Sequence, residues 1–543
     1  MTAAGDKKGV RTRRSAGGSK KRSAAKQPSA VSVAPVDQVA QSGSDEDQAA
    51  ANPGAANKAA KPPSKPPTGD HGSAGSGKKA AEPKPEGDSP RKLVKASKTG
   101  RKTAKRVPLP GPEIKRAAKK AVKKATTQEK LDSAEQRPAV SGGRRPLDGI
   151  RILDLSRLLP GPYASHVLGS FGAEVIKIEK PGEGDYIRDS EPKAQGFNAL
   201  FLTINRGKKS VAIDLKDSNG KEAFLALAKR SDVVLDGFRP GTMTRLGLGY
   251  EQLKEVNPKL VYAALTGYGQ SGRHANRAGH DLNYVAHAGM LDLLGESDGM
   301  PAVPGIQIAD VAAGALPTVI GILLALQHRT RSHQGQMVDI SMYDSILGLM
   351  PVQIANYTAT KRRPKRGHER LFGRYACYNI YPVRNGRFLT VAALEPKFWK
   401  ALCTALDRED LIPDQYVEGD QQQVLIAELT RIFQKKSVAE WMEVFGEEDV
   451  CVAEVREISR SVQDEHLGDR GIVTPVRGAD GTVYEQLGVF PKLSDAPGYV
   501  SGDAPARGEH TRQVLKSVNF TAKRINEMLA AKTAEEPPPK DPT

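Results

Sequence analysis

The sequence has 543 residues, which is long enough for two or three domains, and a formal net charge of +18. Residues 1–145 contain 33 Lys and Arg against 13 Asp and Glu, a net charge of +20, whereas the remaining residues carry a net charge of −2. The positive charge therefore belongs to the N-terminal segment. The near-neutral charge of the remaining residues excludes a strongly basic globular domain. An argument from charge to polyanion binding therefore applies to the N-terminal segment alone.

The N-terminal segment, residues 1–145, is rich in Ala, Lys, Pro, Gly and Ser and contains no Trp, Phe or Tyr. Such a composition cannot bury enough apolar surface to offset the entropy lost on ordering, so we expect a disordered tail. A Lys-, Ala- and Pro-rich chain binds phosphates with little sequence preference. The tail is therefore a candidate for non-specific binding of nucleic acid or another polyanion, and a solvated extension is the simpler alternative.

Signals for the cellular compartment are few. No apolar run follows the basic start, which disfavours a secretory signal, and no run of about eighteen uncharged apolar residues occurs later, so we expect no contact with a membrane. Cys377, Cys403 and Cys451 are scattered, which is typical of a reducing compartment and does not match the spacing of zinc ligands. These features predict a cytoplasmic protein without a bound metal.

Ordered elements begin near Arg145. Ile150–Leu155 is an apolar run typical of a strand, Ala164–Phe171 has helical spacing, and Val175–Ile178 is a second predicted strand. The period of the apolar residues changes from 2 to 3.6 and back, and this pattern recurs up to Gly269. We therefore predict an α/β fold with a Rossmann-like open parallel sheet, whose ligands bind at the carboxyl ends of the strands. No G-x-G-x-x-G opens a helix after the first strand, which disfavours a dinucleotide cofactor.

Two loops next to predicted strands carry groups suited to phosphate. One precedes the strand SVAIDL and the other follows the strand VVLD. Basic side chains and exposed N–H groups near glycine bind phosphorylated ligands, although surface loops often carry Lys and Arg without a ligand. The candidate residues are Asn205, Arg206, Lys208, Lys209, Phe238 and Arg239.

The next segment contains two titratable residues of interest. His280 stands between Gly279 and Asp281, and Asp310 directly precedes the apolar run VAAGALPTVIGILLALQ. We expect Asp310 to cap the helix formed by that run, because the N–H groups of a helix N-terminus favour an anion. If the fold brings His280 opposite Asp310, the pair forms a two-sided acid/base site.

The composition and the predicted elements of the chain change after residue 350. A polar and basic stretch is followed by two β-rich runs around an Arg384–Asn385–Gly386 turn, which predicts a hairpin, and then by helical runs. The predicted organisation comprises a disordered tail at 1–145, a large domain at 146–350, a linker at 351–375, a small inserted α+β domain at 376–470, a return to the large domain at 471–530 and a disordered tail at 531–543.

Several stretches of the chain resemble the family III CoA-transferases (the CaiB/BaiF group), over roughly Arg145 to Val500. They are LDLSRLLPGPYASHVLGSFGAEVIKIEKPGEGD, NRGKKSVAIDLK, GFRPGTMTRLGLGYEQLKEVNPKLVYAALTGYGQSG and QGQMVDISMYDSILGL. The resemblance implies an acyl-CoA substrate, no cofactor beyond the coenzyme A of that substrate, and a homodimer of two interlocked subunits. By position in the motifs, it also implies CoA contacts for the six residues of the two phosphate-suited loops.

Two chemistries of this family are alternatives. In its transferases, the Asp matching Asp310 attacks the thioester and carries covalent intermediates. In its α-methylacyl-CoA racemase-like branch, the Asp pairs with a His in a motif that AGHDLNY, residues 278–284, matches at His280. Glu395, in LEPKFW, resembles the racemase Glu that supports this His.

The resemblance therefore favours a racemase or epimerase of 2-methylacyl-CoA thioesters, in which His280 and Asp310 serve opposite faces of the α-carbon. The N–H groups that follow Asp310 could then stabilise an enolate oxygen. The segment Val311–Gly314 resembles transferase members more, which leaves a CoA-transferase with a covalent Asp310 intermediate open. A scaffold without activity is disfavoured, because the site residues are all present.

Overall fold

The computed structural model describes residues 144–194, 197–477, 481–499 and 502–538. The prediction of a disordered N-terminal tail lies outside these residues, apart from its last two positions. There, Arg145 is already buried, and its guanidinium lies 5.1 Å from the centroid of the Tyr499 ring.

The described strands are numbered in chain order. They are β1 (Arg151–Asp154), β2 (Glu174–Glu179), β3 (Lys193–Ala194), β4 (Phe197–Asn198), β5 (Lys209–Ile213), β6 (Val233–Asp236), β7 (Val261–Thr266), β8 (Met337–Ser341), β9 (Tyr378–Pro382), β10 (Phe388–Ala392), β11 (Val452–Glu454), β12 (Val473–Arg477), β13 (Val483–Leu487) and β14 (Ala534–Glu535).

The α-helices are numbered in the same way. They are α1 (Pro160–Ser170), α2 (Ala199–Asn205), α3 (Ser218–Ala228), α4 (Thr242–Arg245), α5 (Tyr250–Val256), α6 (Asp281–His287), α7 (Leu316–Ser332), α8 (Met342–Gly348), α9 (Pro351–Thr360), α10 (Pro396–Ala405), α11 (Asp420–Phe433), α12 (Val438–Phe445), α13 (Ile458–Ser461), α14 (Glu465–Asp469), α15 (Thr511–Ser517) and α16 (Ala522–Ala530). Short 3₁₀ turns lie at Tyr186–Asp189, Leu291–Leu293 and Glu409–Asp414, and a π-helical segment lies at Ile308–Ala315.

A seven-stranded sheet forms the centre of the fold, in the order β14-β5-β2-β1-β6-β7-β8. All neighbouring strands pair in parallel except β14, which is antiparallel to β5. Between β1 and β2, Leu153 lies opposite Ile176. The predicted Rossmann-like open parallel sheet is thus confirmed.

Both faces of this sheet are covered, so consecutive residues of one strand enter different cores. Ile152 belongs to the cluster that contains Leu168 of α1, whereas Leu153 belongs to the cluster that contains Phe224 of α3. Strands buried on both faces are continuous apolar runs rather than alternating ones. This explains why β6 and β7 are buried at every residue.

The smaller part of the fold has its own core, built around the antiparallel sheet β11-β10-β9. Trp399, Tyr381 and Phe433 are fully buried there, in a cluster that extends over residues 375–450. β9 and β10 form the hairpin that the Asn-Gly dipeptide predicts, and Gly386 has a φ of +70° in the turn.

Two segments differ from the sequence prediction. The expected linker contains helix α9, which begins at Pro351, because Pro fits the first turn of a helix. The expected disordered tail contains β14, where Ala534 is only 3% exposed. This short strand forms hydrogen bonds with the backbone of the edge strand β5. Next to it, the N–H of Asp214 donates to the carbonyl of Thr533 at 2.9 Å. Pairing with β5, more than 300 residues earlier, leaves no local signal in the sequence.

The π-helical segment and α7 form one helical stretch, 308–332, whose length and composition would suffice to cross a membrane. Buried core helices meet the same criteria. In this helix, 39% of the most apolar 18-residue stretch is buried inside the chain. A Cβ at Gly321 would lie 2.7 Å from Cγ1 of Val338, so this helix packs closely against β8.

Candidate active site

A cleft of about 560 Å³ opens at the carboxyl ends of three neighbouring strands. Its walls come from the loop after β1, the loop after β6 and the end of β7. They are completed by the residues around His280 and by Asp310. The two titratable residues singled out in the sequence therefore line the same cavity.

His280 occupies the N-cap position of α6. Its backbone N–H donates to Oδ1 of Asn283 at 3.0 Å, and its carbonyl accepts from the N–H of Asn283 at 2.8 Å. This reciprocal contact fixes the backbone of His280 at the helix end, while its imidazole lines the cleft and is exposed.

Tyr284, one turn further along α6, holds the loop that carries His280. Its hydroxyl donates to the carbonyl of Gly279 at 2.5 Å. Its ring lies so close to the backbone that a Cβ at Gly267 or Gly279 would come within 2.4 or 2.6 Å of its Cε1 atom. Burial, followed by Tyr268 and Asp310, raises the pKa of Tyr284 to about 12, so the phenol remains a donor at neutral pH.

Asp310 lies in the first turn of the π-helical segment rather than at its N-cap. The segment begins at Ile308 and its N-cap is Gln307, so the helix starts before the residue predicted to cap it. Of the N–H groups after Asp310 that were expected to face an enolate, that of Val311 is engaged within the chain and donates to the carbonyl of Gln307 at 3.0 Å. The N–H of Asp310 itself donates to Oδ1 of Asp281 at 2.9 Å. π-Helical turns occur frequently at functional sites.

The surroundings of Asp310 bring its carboxyl group into the range of acid/base catalysis. Burial and then the neighbouring negative charge of Asp281 raise the pKa of Asp310 to about 6, while His280 acts in the opposite direction. A group with a pKa near the working pH can both accept and return a proton. A perturbed carboxylate in a cleft, beside an imidazole, is typical of a catalytic site.

Cationic side chains line the same cleft. Arg239 lies there beside Phe238, both of them candidate residues from the sequence, and Arg157 and Arg277 line the cleft as well, although neither was predicted. The Arg157 guanidinium lies 5.1 Å from the centroid of the Phe238 ring and 5.5 Å from that of Tyr186. The position of Arg157, just after a predicted strand at the carboxyl edge of the sheet, was a signal that could have identified it.

The other four predicted phosphate contacts lie outside the lining of the cleft. Lys208 is buried, and its Nζ contacts Oδ2 of Asp154 at 3.2 Å and Oδ1 of Asn205 at 2.8 Å. Arg206 donates to the carbonyl of Leu487 at 3.0 Å, and Lys209 donates to a carboxylate oxygen of Glu174 at 2.6 Å. Asn205, Arg206, Lys208 and Lys209 therefore make contacts inside this chain, and a role in binding CoA stays a prediction for them.

Glu395 is exposed at the N-cap of α10, where its carbonyl accepts the N–H groups of Phe398 and Trp399. It does not belong to the lining of the cleft formed by this chain. Its support of His280 stays a prediction. Within the described ranges, no group of three or more His, Cys, Asp or Glu side chains is placed to hold a metal ion.

A parallel sheet with an aspartate and a histidine in a cation-lined cleft at its carboxyl edge is typical of an α/β enzyme. The sequence model of CoA-transferase family III matches residues 147–511, and the chain belongs to this family.

Known relatives include members with both chemistries. The chain is 34% identical to alpha-methylacyl-CoA racemase of Homo sapiens over 392 residues, covering 72% of this chain and 97% of the relative. It is 32% identical to succinyl-CoA:mesaconate CoA-transferase of Haloarcula hispanica over 394 residues, covering 68% and 95%. A CAIB/BAIF family protein from Brucella suis has a similar crystal structure, with a TM-score of 0.61 and 29% identity, covering 69% of this chain and 100% of that one.

Proposed function

We propose that this enzyme is a racemase or epimerase of 2-methylacyl-CoA thioesters. The observation that carries the proposal is the placement of His280 and Asp310 in one cleft, with the pKa of Asp310 raised to about 6. A transferase needs Asp310 as a nucleophile but has no evident use for an imidazole beside it. A two-base reaction uses both groups.

The chemistry follows from the acidity of the thioester. Removing the proton on the α-carbon gives an enolate, whose negative charge is spread onto the thioester oxygen. Inversion needs one group that takes this proton on one face and a second that gives a proton to the opposite face. His280 and Asp310 take these roles in either order. After each turnover the first group has gained a proton and the second has lost one, and exchange with water resets both.

The cations of the cleft support binding of the CoA part of the substrate. Arg157, Arg239 and Arg277 line the cavity, and guanidinium groups form strong paired hydrogen bonds with phosphate. We propose that these arginines contact the phosphates of CoA while the acyl carbon lies between His280 and Asp310. No metal or dinucleotide enters this mechanism.

A CoA-transferase is the second candidate, favoured by the Haloarcula hispanica relative and by the alanine-rich segment after Asp310. In that reaction, the carboxylate of Asp310 attacks the thioester carbonyl and the CoA thiolate leaves, which forms an aspartyl anhydride. The CoA thiolate then attacks the carbonyl of Asp310, which forms an aspartyl thioester and releases the donor acid. The carboxylate of the acceptor acid attacks this thioester, which expels the CoA thiolate and forms a second anhydride. The thiolate finally attacks the carbonyl of the acceptor, which gives the new acyl-CoA and the free carboxylate of Asp310.

The racemase and the CoA-transferase differ in whether a covalent intermediate forms on Asp310. Full-length enzyme is mixed with an acyl-CoA, quenched in acid and digested, and the peptide containing Asp310 is examined by mass spectrometry. We expect no added mass, as in the Asp310→Asn variant used as the control. An acyl or CoA adduct on Asp310 that forms and decays at the rate of turnover would contradict the racemase and establish the transferase.

The exposed apolar face of α7 supports a homodimer. Ile320 and Leu324, one turn apart, are 56% and 65% exposed in the single chain. Apolar patches of this kind mark protein interfaces, and we propose that a second copy of the chain covers this face. Light scattering should give the mass of a dimer for the wild type, and the combined Ile320→Asp and Leu324→Asp changes should give a monomer. A monomeric wild type would refute this proposal.

A further inference from the structure

A network of buried charges lies beneath the loop between β1 and α1, residues 155–159, and the proposed proton transfers do not use it. Lys177 and Asp185 are completely buried, with Nζ and Oδ2 separated by 2.9 Å. Burial alone would raise the pKa of Asp154, but Lys208 and Lys177 lower it overall, so this carboxylate stays ionised as well. The desolvation of buried ion pairs largely offsets their attraction, so such a network is better suited to fixing a conformation than to adding stability.

The network contacts the backbone of the loop at three points. Lys177 Nζ donates to the carbonyl of Ser156 at 2.9 Å, and the N–H of Ser156 donates to Oδ1 of Asp154 at 2.9 Å. The N–H of Leu158 donates to Oδ1 of Asp185 at 3.1 Å. The buried charges thus fix the loop on both sides of Arg157.

Leu158 needs such a contact, because its φ is +64°. Side chains other than glycine rarely adopt this left-handed region, and residues held there concentrate at functional sites. The hydrogen bond from Leu158 to Asp185 is the contact that holds the strained residue.

The conformation of Leu158 determines where the preceding residue points. Arg157 lies between the rings of Tyr186 and Phe238, and all three residues line the cleft. Tyr186 directly follows Asp185 in the chain. Asp185 therefore connects the loop that carries Arg157 to the segment that carries Tyr186, one of the two rings at the guanidinium, although it does not itself line the cleft.

We infer that Asp185 is a positioning residue, which holds Leu158 in the left-handed conformation and thereby places Arg157 to bind the anionic half of the substrate. The inference rests on the proposed binding of a CoA thioester in this cleft. It concerns binding rather than proton transfer, because His280 and Asp310 belong to other elements.

The test changes Leu158 and leaves the buried charges intact. Valine is β-branched and strongly disfavours a positive φ, whereas glycine adopts it freely. Leu158→Val should raise the Kd for CoA and the KM for 2-methylacyl-CoA about tenfold, with kcat within about twofold of the wild type. Leu158 itself lines the cleft, so Leu158→Gly loses the contacts of its side chain but keeps the conformation, and it should impair both constants clearly less than Leu158→Val, by about threefold or less.

A second pair of variants tests Asp185 directly. Asp185→Ala removes the acceptor of the Leu158 N–H and should raise the Kd for CoA about as much as Leu158→Val, whereas Asp189→Ala, in the same segment but exposed, should have no effect. If Asp185→Ala does not fold, comparing Leu158→Val with Leu158→Gly still tests the inference.

Equal impairment of Leu158→Val and Leu158→Gly would overturn the inference, because the side chain and not the conformation would then matter. A Leu158→Val variant that binds CoA as well as the wild type would overturn it too. These outcomes leave the proposed function untouched. A wild-type protein that does not bind CoA would overturn both.

Discussion

The backbone N–H of Asp310 donates to the carboxylate of Asp281 at 2.9 Å, which brings two acidic residues together beside His280. This contact places a second negative charge next to the already buried carboxyl group of Asp310. Burial and the charge of Asp281 raise its pKa to about 6, so that it changes protonation close to neutral pH.

Replacing Asp281 by Asn should therefore change the pH dependence of the reaction. Asparagine can still accept the N–H of Asp310 but carries no charge, so the pKa of Asp310 should fall from about 6. Because Asp310 must be ionised to accept a proton, the acidic limb of α-proton exchange should move to lower pH. Exchange rates measured between about pH 4 and pH 8 test this shift. Asp298→Asn, at an exposed position, is the matched control. If the acidic limb of the pH profile stays in place in Asp281→Asn, the charge of Asp281 does not raise the pKa of Asp310.

His280→Ala should remove exchange of the α-proton of one enantiomer, because one face of the α-carbon then lacks its base. The loss should amount to about 10²–10⁴-fold, while affinity for CoA stays close to the wild-type value. Assays of α-proton exchange, run with each enantiomer separately, measure the loss of rate. Titrations with CoA measure the affinity. Full racemisation by the variant would mean that His280 is structural.

Gly267→Ala should destabilise the fold, because the new Cβ would lie 2.4 Å from the ring of Tyr284. Overpacking of this kind costs about 1–3 kcal/mol, which thermal or denaturant unfolding can measure. The matched control is Gly348→Ala, since nothing lies within 4 Å of a Cβ at that position of α8. If both variants are as stable as the wild type, the ring of Tyr284 is not the rigid support of the His280 loop.

The parts of this structure that could be predicted from sequence are those with a local physical signal. The change of apolar period identified β1, α1 and β2, because each element buries residues at its own spacing. The Asn-Gly dipeptide identified the β9–β10 hairpin, because its turn requires a positive φ. Strand β14 has no such signal, since only pairing with a distant edge defines it.

The same distinction applies to the site. His280 and Asp310 could be found because few residue types perform acid/base chemistry and a motif marked their positions. The direction of a lysine side chain cannot be predicted in this way. A basic residue beside a strand has the same local sequence whether it faces solvent or a buried carboxylate. Lys208 faces Asp154 and also donates to the carbonyl of Pro162 in α1, so its direction depends on tertiary packing that the local sequence does not show.

Removing residues 1–143 should leave kcat and KM for the acyl-CoA unchanged. The truncation ends before Arg145, which packs against Tyr499. We propose that the basic tail gives the full-length protein salt-sensitive binding to nucleic acid or polyphosphate, because each neutralised phosphate releases counterions. Filter binding at low and moderate salt tests this. Equally weak binding by both proteins would leave the tail as a solvated extension, and a loss of turnover on truncation would place it at the active site.

The most direct test of the proposed reaction is exchange at the α-carbon in heavy water. A single enantiomer of a 2-methylacyl-CoA is incubated with the enzyme in D₂O without any acceptor acid, and the product is analysed for deuterium and configuration. The two-base mechanism predicts that the inverted enantiomer forms with one solvent deuterium at the α-carbon, and that Asp310→Asn forms none. A substrate that keeps its α-proton and its configuration, while the same enzyme transfers CoA once an acceptor acid is added, would contradict it.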